Sequence, residues 1–143
     1  MIAPDSSVTI AAAAPWHEAH TAALAALSGD ELSLISHVAF ETTAALSRMP
    51  DGHRLAPDVV LTWLERRFPG EWLALPANAA QVALRAAVDE GVRGGGLYDA
   101  LVGATAAHHG HMLITADRRA APVYAALGVD VAYVPAIDAH VPA

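Results

Sequence analysis

The chain has 143 residues, of which 55% are hydrophobic and 16% charged, and its net charge is −7. This length and composition indicate one folded domain with a hydrophobic core and exclude a disordered polymer. Cysteine and lysine are both absent. Their absence excludes disulfides and thiolate ligands, and it also excludes a P-loop lysine, Schiff-base chemistry and a receiver-type phosphate acceptor site.

The charge and the apolar pattern also limit the surroundings of the protein. No apolar run approaches the roughly 20 residues of a membrane span, and the N-terminus MIAPDSS lacks the basic region of a secretory signal. We therefore expect a cytoplasmic protein without membrane contact. If this acidic chain handles nucleic acid, bound cations and local arginines must offset its charge. Its acidity also suits a basic polypeptide partner.

The first residues predict a short strand followed by a helix. Pro4 is tolerated only at a strand's end, so the strand is expected to end at Asp5. Ser6 or Ser7 is expected to cap the helix that follows. Alanine and leucine at helical spacing then predict a second helix from about Trp16 to Leu27.

The rest of the chain alternates between apolar strands and amphipathic helices. The predicted elements are, in order, a strand over 32–35, helices over 37–49 and 57–68, a strand over 72–75, helices over 77–90 and 97–109, a strand over 111–115, a helix over 120–127 and a strand over 129–134. The third helix is expected to bury Val38, Phe40, Leu46 and Met49.

Five strands joined by helical connections predict a single parallel sheet with helices on both faces, which is an α/β fold. The domain is expected to span residues 1–135, with a frayed C-terminal tail over 136–143.

Four carboxylates occupy comparable places in this predicted fold. Asp5 and Asp117 follow strands, Asp99 begins a helix, and Glu41 lies in the second turn of another. Ligands of open parallel sheets bind at the carboxyl ends of the strands, so these acids could converge on one edge. Their mutual repulsion would be relieved by hard divalent ions, which activate water for phosphodiester cleavage. Alternatively, Asp5 and Asp99 are helix caps, Asp117 is a turn residue and Glu41 is solvated.

The sequence Asp5-x-Ser7, Glu41 in its apolar helix, Tyr98-Asp99-Ala100-Leu101 and Thr115-x-Asp117-Arg118-Arg119 resemble a PIN domain. They resemble in particular the VapC toxins of bacterial VapBC toxin–antitoxin modules. The resemblance implies a PIN-like three-layer α/β/α fold with a five-stranded parallel sheet. It also implies an endoribonuclease that depends on Mg²⁺ or Mn²⁺ held by Asp5, Glu41, Asp99 and Asp117, with Ser7 and Thr115 orienting these acids or a metal-bound water.

The same resemblance implies partners. It predicts a homodimer, an RNA substrate and a cognate VapB-like antitoxin whose C-terminal segment places a basic side chain in the acidic site. Arg118 and Arg119 stand beside the fourth acid, where they could contact RNA phosphate or form only a local ion pair. The alternative function is a non-catalytic PIN-like binding module whose acidic rim docks a basic partner.

Four of the histidines lie close to the predicted acidic elements. His108, His109 and His111 lie at a helix C-terminus, where interaction with the helix dipole is favoured over a zinc site. His37 is four residues before Glu41 and shares its helical face, so it could support that carboxylate or bond locally.

Overall fold

The computed structural model describes residues 1–135, and the predicted tail over 136–143 lies outside the described residues. The strands are β1 (Ile2–Pro4), β2 (Met112–Thr115) and β3 (Val131–Tyr133). The α-helices are α1 (Ser6–Ala13), α2 (His20–Ala26), α3 (Ser36–Ser47), α4 (Pro57–Arg67), α5 (Ala77–Asp89), α6 (Gly96–His108) and α7 (Ala121–Ala126). A 3-10 segment, Arg118–Ala120, lies directly before α7.

The strands form one parallel sheet in the order β1-β2-β3. Ala3 is paired with Leu113, and Ile114 is paired with Ala132. Along β2 the consecutive residues Leu113, Ile114 and Thr115 are all buried. Because successive side chains of a strand point to opposite faces, this run shows that both faces of the sheet are covered.

The predicted count of five strands is wrong for the described residues, since the sheet has three. The segments 32–35 and 72–75 are present only as single parallel bridges, Ile2 with Leu32 and Ile35 with Leu73. Neither segment extends into a full strand, because α3 begins directly after Ile35 and Pro76 is the N-cap residue of α5. The two bridges nevertheless continue the parallel order beyond β1.

Three local expectations also changed. Strand β1 ends at Pro4, one residue before the predicted end at Asp5. The second helix begins at His20 rather than near Trp16, and no side chain caps its start. The first helix is capped by Asp5 itself, which accepts a hydrogen bond from the backbone N–H of Ser7, and not by a serine.

The core is built from small and branched aliphatic side chains between the sheet and the helices. Val38 and Leu46 of α3 are fully buried, as expected, whereas Phe40 is 75% exposed. Val38 and Leu46 are eight residues apart and share a helical face, while Phe40 is two positions from Val38 and points away. The exposed Phe40 is thus a surface feature beside Glu41.

No helix within residues 1–135 combines the length and the apolar character needed to cross a membrane.

Candidate active site

The carboxylates singled out in the sequence lie around the carboxyl ends of β1 and β2. Asp5 directly follows β1, and Asp117 lies two residues beyond β2. Asp99 occupies the first turn of α6, and Glu41 the second turn of α3. The electrostatic influence of Asp5, Glu41 and Asp117 reaches Asp99, so the fold brings these acids into one neighbourhood.

Asp5 is the most tightly held of the four acids. Its side chain is buried, with 5% of the residue exposed. Its Oδ1 accepts hydrogen bonds from the Ser7 N–H at 3.1 Å and from the Ser7 hydroxyl. Its Oδ2 accepts a hydrogen bond from the Tyr124 hydroxyl at 2.9 Å. The backbone N–H of Asp5 donates to the carbonyl of Ile114, which fixes this acid against β2.

Two hydroxyl side chains join the loops that carry Asp5 and Asp117. The oxygens Ser7 Oγ and Thr115 Oγ1 are 3.3 Å apart. Ser7 Oγ accepts a hydrogen bond from the backbone N–H of Ala116 at 2.8 Å, and Thr115 Oγ1 accepts one from the N–H of Asp117 at 3.0 Å. The hydroxyls therefore set the separation of the two loops.

Asp117 is held locally. Its Oδ1 accepts hydrogen bonds from the backbone N–H of Arg119 at 2.9 Å and from the Arg119 Nε at 3.3 Å. The Arg119 side chain is 94% exposed, so this pair contributes little to stability. The Arg118 guanidinium lies 4.9 Å from the centre of the Tyr133 ring, a cation–π contact. Both arginines are on the surface beside the acids.

Burial and crowding shift the acidity of the site. Burial and then the charges of Asp117, Asp5 and Glu41 raise the pKa of Asp99 to about 6, against the positive charge of Arg119, which lowers it. Burial and then the charge of Asp5 raise the pKa of Glu41, against a hydrogen bond from Ser6. Burial also raises the pKa of Asp5, although hydrogen bonds from neighbouring hydroxyls oppose it. Each shift favours the neutral acid when no cation is present.

Tyr124 was not singled out from the sequence, where it is one apolar-face residue of a short helix. Its side chain is 1% exposed. Burial and then the charge of Asp5 raise the pKa of its hydroxyl, so the phenol stays protonated and is the donor to Asp5. A buried tyrosine hydroxyl normally requires a partner, but the sequence could not name a carboxylate 119 residues away.

His37 lies beside Glu41 as predicted from the helical spacing. Its Nε2 is 3.7 Å from Glu41 Oε2, which is too long for a hydrogen bond. This buried Nε2 has no hydrogen-bond partner within the described part of the chain, and burial lowers the pKa of the imidazole. The ring stacks on Tyr98, with ring centres 5.4 Å apart.

The three histidines at the C-terminal end of α6 make protein hydrogen bonds or lie on the surface. The imidazole of His109 is 2.8 Å from the carbonyl of Ala74, and that of His111 is 3.1 Å from the hydroxyl of Ser33.

The donor set at the strand ends fits a hard divalent cation. It consists of carboxylates, and their crowding raises the pKa of Asp99, an effect that a bound cation would reverse. Within residues 1–135, no three histidine, aspartate or glutamate side chains are close enough together to coordinate one ion without other ligands. Magnesium is commonly held by one or two carboxylates with water and substrate phosphate completing its shell, so this spacing is compatible with it.

A parallel α/β domain with acids at the strand ends is the class that this geometry defines. The PIN domain model matches residues 2–126. The chain is 44% identical over 131 residues to Ribonuclease VapC40 of Mycobacterium tuberculosis (strain CDC 1551 / Oshkosh), covering 92% of this chain and 97% of that protein. It is 36% identical over 130 residues to Ribonuclease VapC27 of Mycobacterium tuberculosis (strain ATCC 25618 / H37Rv), covering 91% and 94%.

Solved structures share the fold. The FitAB structure bound to the IR36 DNA fragment has a TM-score of 0.69 and 20% identity, covering 93% of this chain and 94% of that one. FitAcB from Neisseria gonorrhoeae has a TM-score of 0.67 and 22% identity, covering 92% and 96%. The chain therefore belongs to the PIN-domain family and, within it, to the VapC group, which confirms the resemblance seen in the sequence.

Proposed function

We propose that this chain is the toxin of a type II toxin–antitoxin module and a divalent-metal-dependent endoribonuclease that acts on cytoplasmic RNA. The observation that carries the proposal is the crowding of Asp99 by Asp5, Glu41 and Asp117 at one edge of the sheet. The names of the VapC40 and VapC27 ribonucleases, which match over almost the whole chain, support the same activity.

Asp5, Glu41, Asp99 and Asp117 would supply the carboxylate ligands of Mg²⁺ or Mn²⁺, some directly and the others through bound water. The cation would lower the pKa of a water and neutralise charge on the phosphodiester. Ser7 and Thr115 keep the loops of Asp5 and Asp117 at a fixed separation, as their hydrogen bonds to each loop indicate.

The two arginines would act on the substrate side of the site. Arg118 and Arg119 are exposed and adjacent to Asp117, so each could contact an RNA phosphate with a charge-assisted hydrogen bond. Phosphate contacts position a nucleic acid without reading its sequence. We therefore assign these arginines to binding of the RNA backbone.

Partners would bind outside the acidic edge as well as at it. The α5 residues Leu84 and Val88 are 55% and 51% exposed and lie four residues apart on one helical face, and exposed apolar patches mark interaction sites. We propose that this surface contributes to a homodimer or to the binding of a VapB-like antitoxin. A basic antitoxin side chain placed among the carboxylates would also block the metal site, and the net charge of −7 favours such a partner.

A second candidate function is a non-catalytic binding module whose acidic rim docks a basic partner. The observation in its favour is that no three potential ligands in residues 1–135 are spaced to hold an ion without further groups. Such a module would not need a divalent cation, and it would leave RNA intact.

Expression in a bacterial host tests the proposed function. Wild-type chain should arrest growth and fragment RNA, while Asp5→Asn and Asp99→Asn should do neither. Glu65→Gln is the matched control, because it removes a charge from an exposed position on α4 and should remain as toxic as wild type. If both aspartate variants fragment RNA as wild type does, the assignment of Asp5 and Asp99 to the metal site is wrong. If wild type leaves RNA intact, the ribonuclease proposal is wrong and the docking function gains support.

A further inference from the structure

Tyr124 joins two parts of the molecule that meet at the acidic edge. It lies in α7, outside the loops that carry the acids, and its side chain is 1% exposed. Its hydroxyl donates a hydrogen bond to Asp5 Oδ2 at 2.9 Å. This contact is independent of the Ser7 bonds, which are both made to Asp5 Oδ1.

The hydrogen bonds of Asp5 leave little acceptor capacity. An ionised carboxylate offers about four lone-pair positions, two on each oxygen. The Ser7 N–H and hydroxyl occupy the two positions on Oδ1. The Tyr124 hydroxyl occupies one position on Oδ2. Of the two oxygens, Oδ2 carries the fewer of these hydrogen bonds and therefore has more capacity for a further partner.

The Tyr124 ring is fixed from its other side by α6. A β-carbon at Gly103 would lie 3.1 Å from Tyr124 Cδ1 and 2.9 Å from Val129 Cγ2, closer than side chains normally approach. Gly103 is four residues after Asp99 and therefore lies one helical turn along the same face. The absence of a side chain at Gly103 lets the ring pack against the helix that carries Asp99.

We propose that Tyr124 is a positioning residue for the acidic site, which fixes the carboxylate plane of Asp5 so that Oδ2 faces a divalent cation. This inference rests on the proposed metal-dependent function. Tyr124 does not touch substrate in this account. It acts through Asp5, and its packing on Gly103 ties the orientation of Asp5 to the position of α6.

Tyr124 would affect the metal only indirectly, because it bonds to a metal-binding side chain and not to the ion itself. Loss of a hydrogen bond that orients a metal-binding side chain typically weakens metal affinity or activity by about 10- to 100-fold. Tyr124→Phe keeps the ring and its packing against Gly103, so it removes the hydroxyl alone. We expect this variant to bind Mn²⁺ about 10- to 100-fold more weakly than wild type.

Calorimetric titration of the full chain with Mn²⁺ alone tests the proposal, with circular dichroism to check the fold of each variant. Tyr133→Phe is the matched control, because it removes a tyrosine hydroxyl on β3, and its Mn²⁺ affinity should equal that of wild type. Gly103→Ala is a second variant, which displaces the ring while keeping the hydroxyl, and it should also weaken Mn²⁺ binding.

The possible results distinguish failure of the metal site from failure of the positioning role of Tyr124. If wild type binds no Mn²⁺, the proposed metal-dependent function fails and the role of Tyr124 fails with it. If wild type binds Mn²⁺ and folded Tyr124→Phe binds it equally well, the positioning role is wrong while the metal site stands. If Tyr124→Phe does not fold, equal Mn²⁺ affinity of folded Gly103→Ala and wild type overturns the positioning role.

Discussion

Asp5 and Asp117 follow neighbouring strands, yet the protein holds them in opposite ways. Asp5 is buried and bonded through both oxygens to side chains from α1 and α7. Asp117 caps a short 3-10 segment, and its carboxylate accepts hydrogen bonds from the backbone and side chain of Arg119. The difference indicates that one side of the site is preorganised, while the other can adjust to a bound cation or to RNA.

Removal of each acid should give unequal losses and is the largest expected effect. Asp5→Asn should lower RNA cleavage by more than about 100-fold, which is the most that loss of a residue orienting a metal ligand typically costs. Asp117→Asn should cost at least about tenfold less than Asp5→Asn, because the exposed loop can shift and water can replace one oxygen ligand. Initial rates on a labelled RNA measure both. Equal losses would contradict the contrast between the two sides.

Loss of the hydroxyl of Ser7 should loosen the preorganised side. Ser7→Ala removes a donor to Asp5 and leaves the Ala116 N–H without its acceptor, which should cost about 1–3 kcal/mol of unfolding free energy. Cleavage should fall by about tenfold. Urea unfolding and cleavage rates measure the two effects. Ser47→Ala, at an exposed hydroxyl of α3, is the control and should leave both values within error.

The raised pKa of Asp99 predicts a pH-dependent stability in metal-free protein. Its folded-state pKa of about 6 lies above the ordinary value of 3.8. The folded protein therefore binds the proton more tightly, and this stabilising contribution is lost as the pH rises through about 6. At pH 7.5 without metal, Asp99→Asn should melt at a higher temperature than wild type, and the difference should shrink towards pH 4. A lower melting temperature for the variant at pH 7.5 would contradict the crowding of charges.

The smallest effect is expected on the exposed side. Arg119→Ala removes a surface ion pair with Asp117, so the unfolding free energy should change by less than about 1 kcal/mol. RNA binding should weaken, and its dependence on salt should become shallower as a phosphate contact is lost. Filter binding at several salt concentrations measures this change. If the salt dependence of RNA binding is unaltered, Arg119 does not contact an RNA phosphate and only pairs with Asp117.

Much of the fold was predictable because its signals are local. Proline and glycine bracket the helices, and apolar runs mark the strands, so the order of elements and the positions of Asp5 and Asp117 followed from the sequence. The strand count did not follow, since a single bridge at Leu32 or Leu73 and a full strand have the same local pattern. Phe40 was misassigned because apolar character alone does not identify the buried face of α3.

The candidate site was predictable by residue type but not in its supporting contacts. The acids were recognised from their places beside strands and helices and from the family resemblance. The hydrogen bond of Tyr124 to Asp5 spans 119 residues, and the contact of Ser7 with Thr115 spans 108. Such contacts depend on how α7 and the β2 loop pack in three dimensions, which no local pattern specifies.

Cleavage of a 5′-labelled RNA by the purified chain tests the central claim most directly. The account predicts cleavage with Mg²⁺ or Mn²⁺, none with excess chelator, and none by Asp99→Asn under either condition. Cleavage that persists in chelator, or equal cleavage by wild type and Asp99→Asn, would contradict a metal site built on these carboxylates.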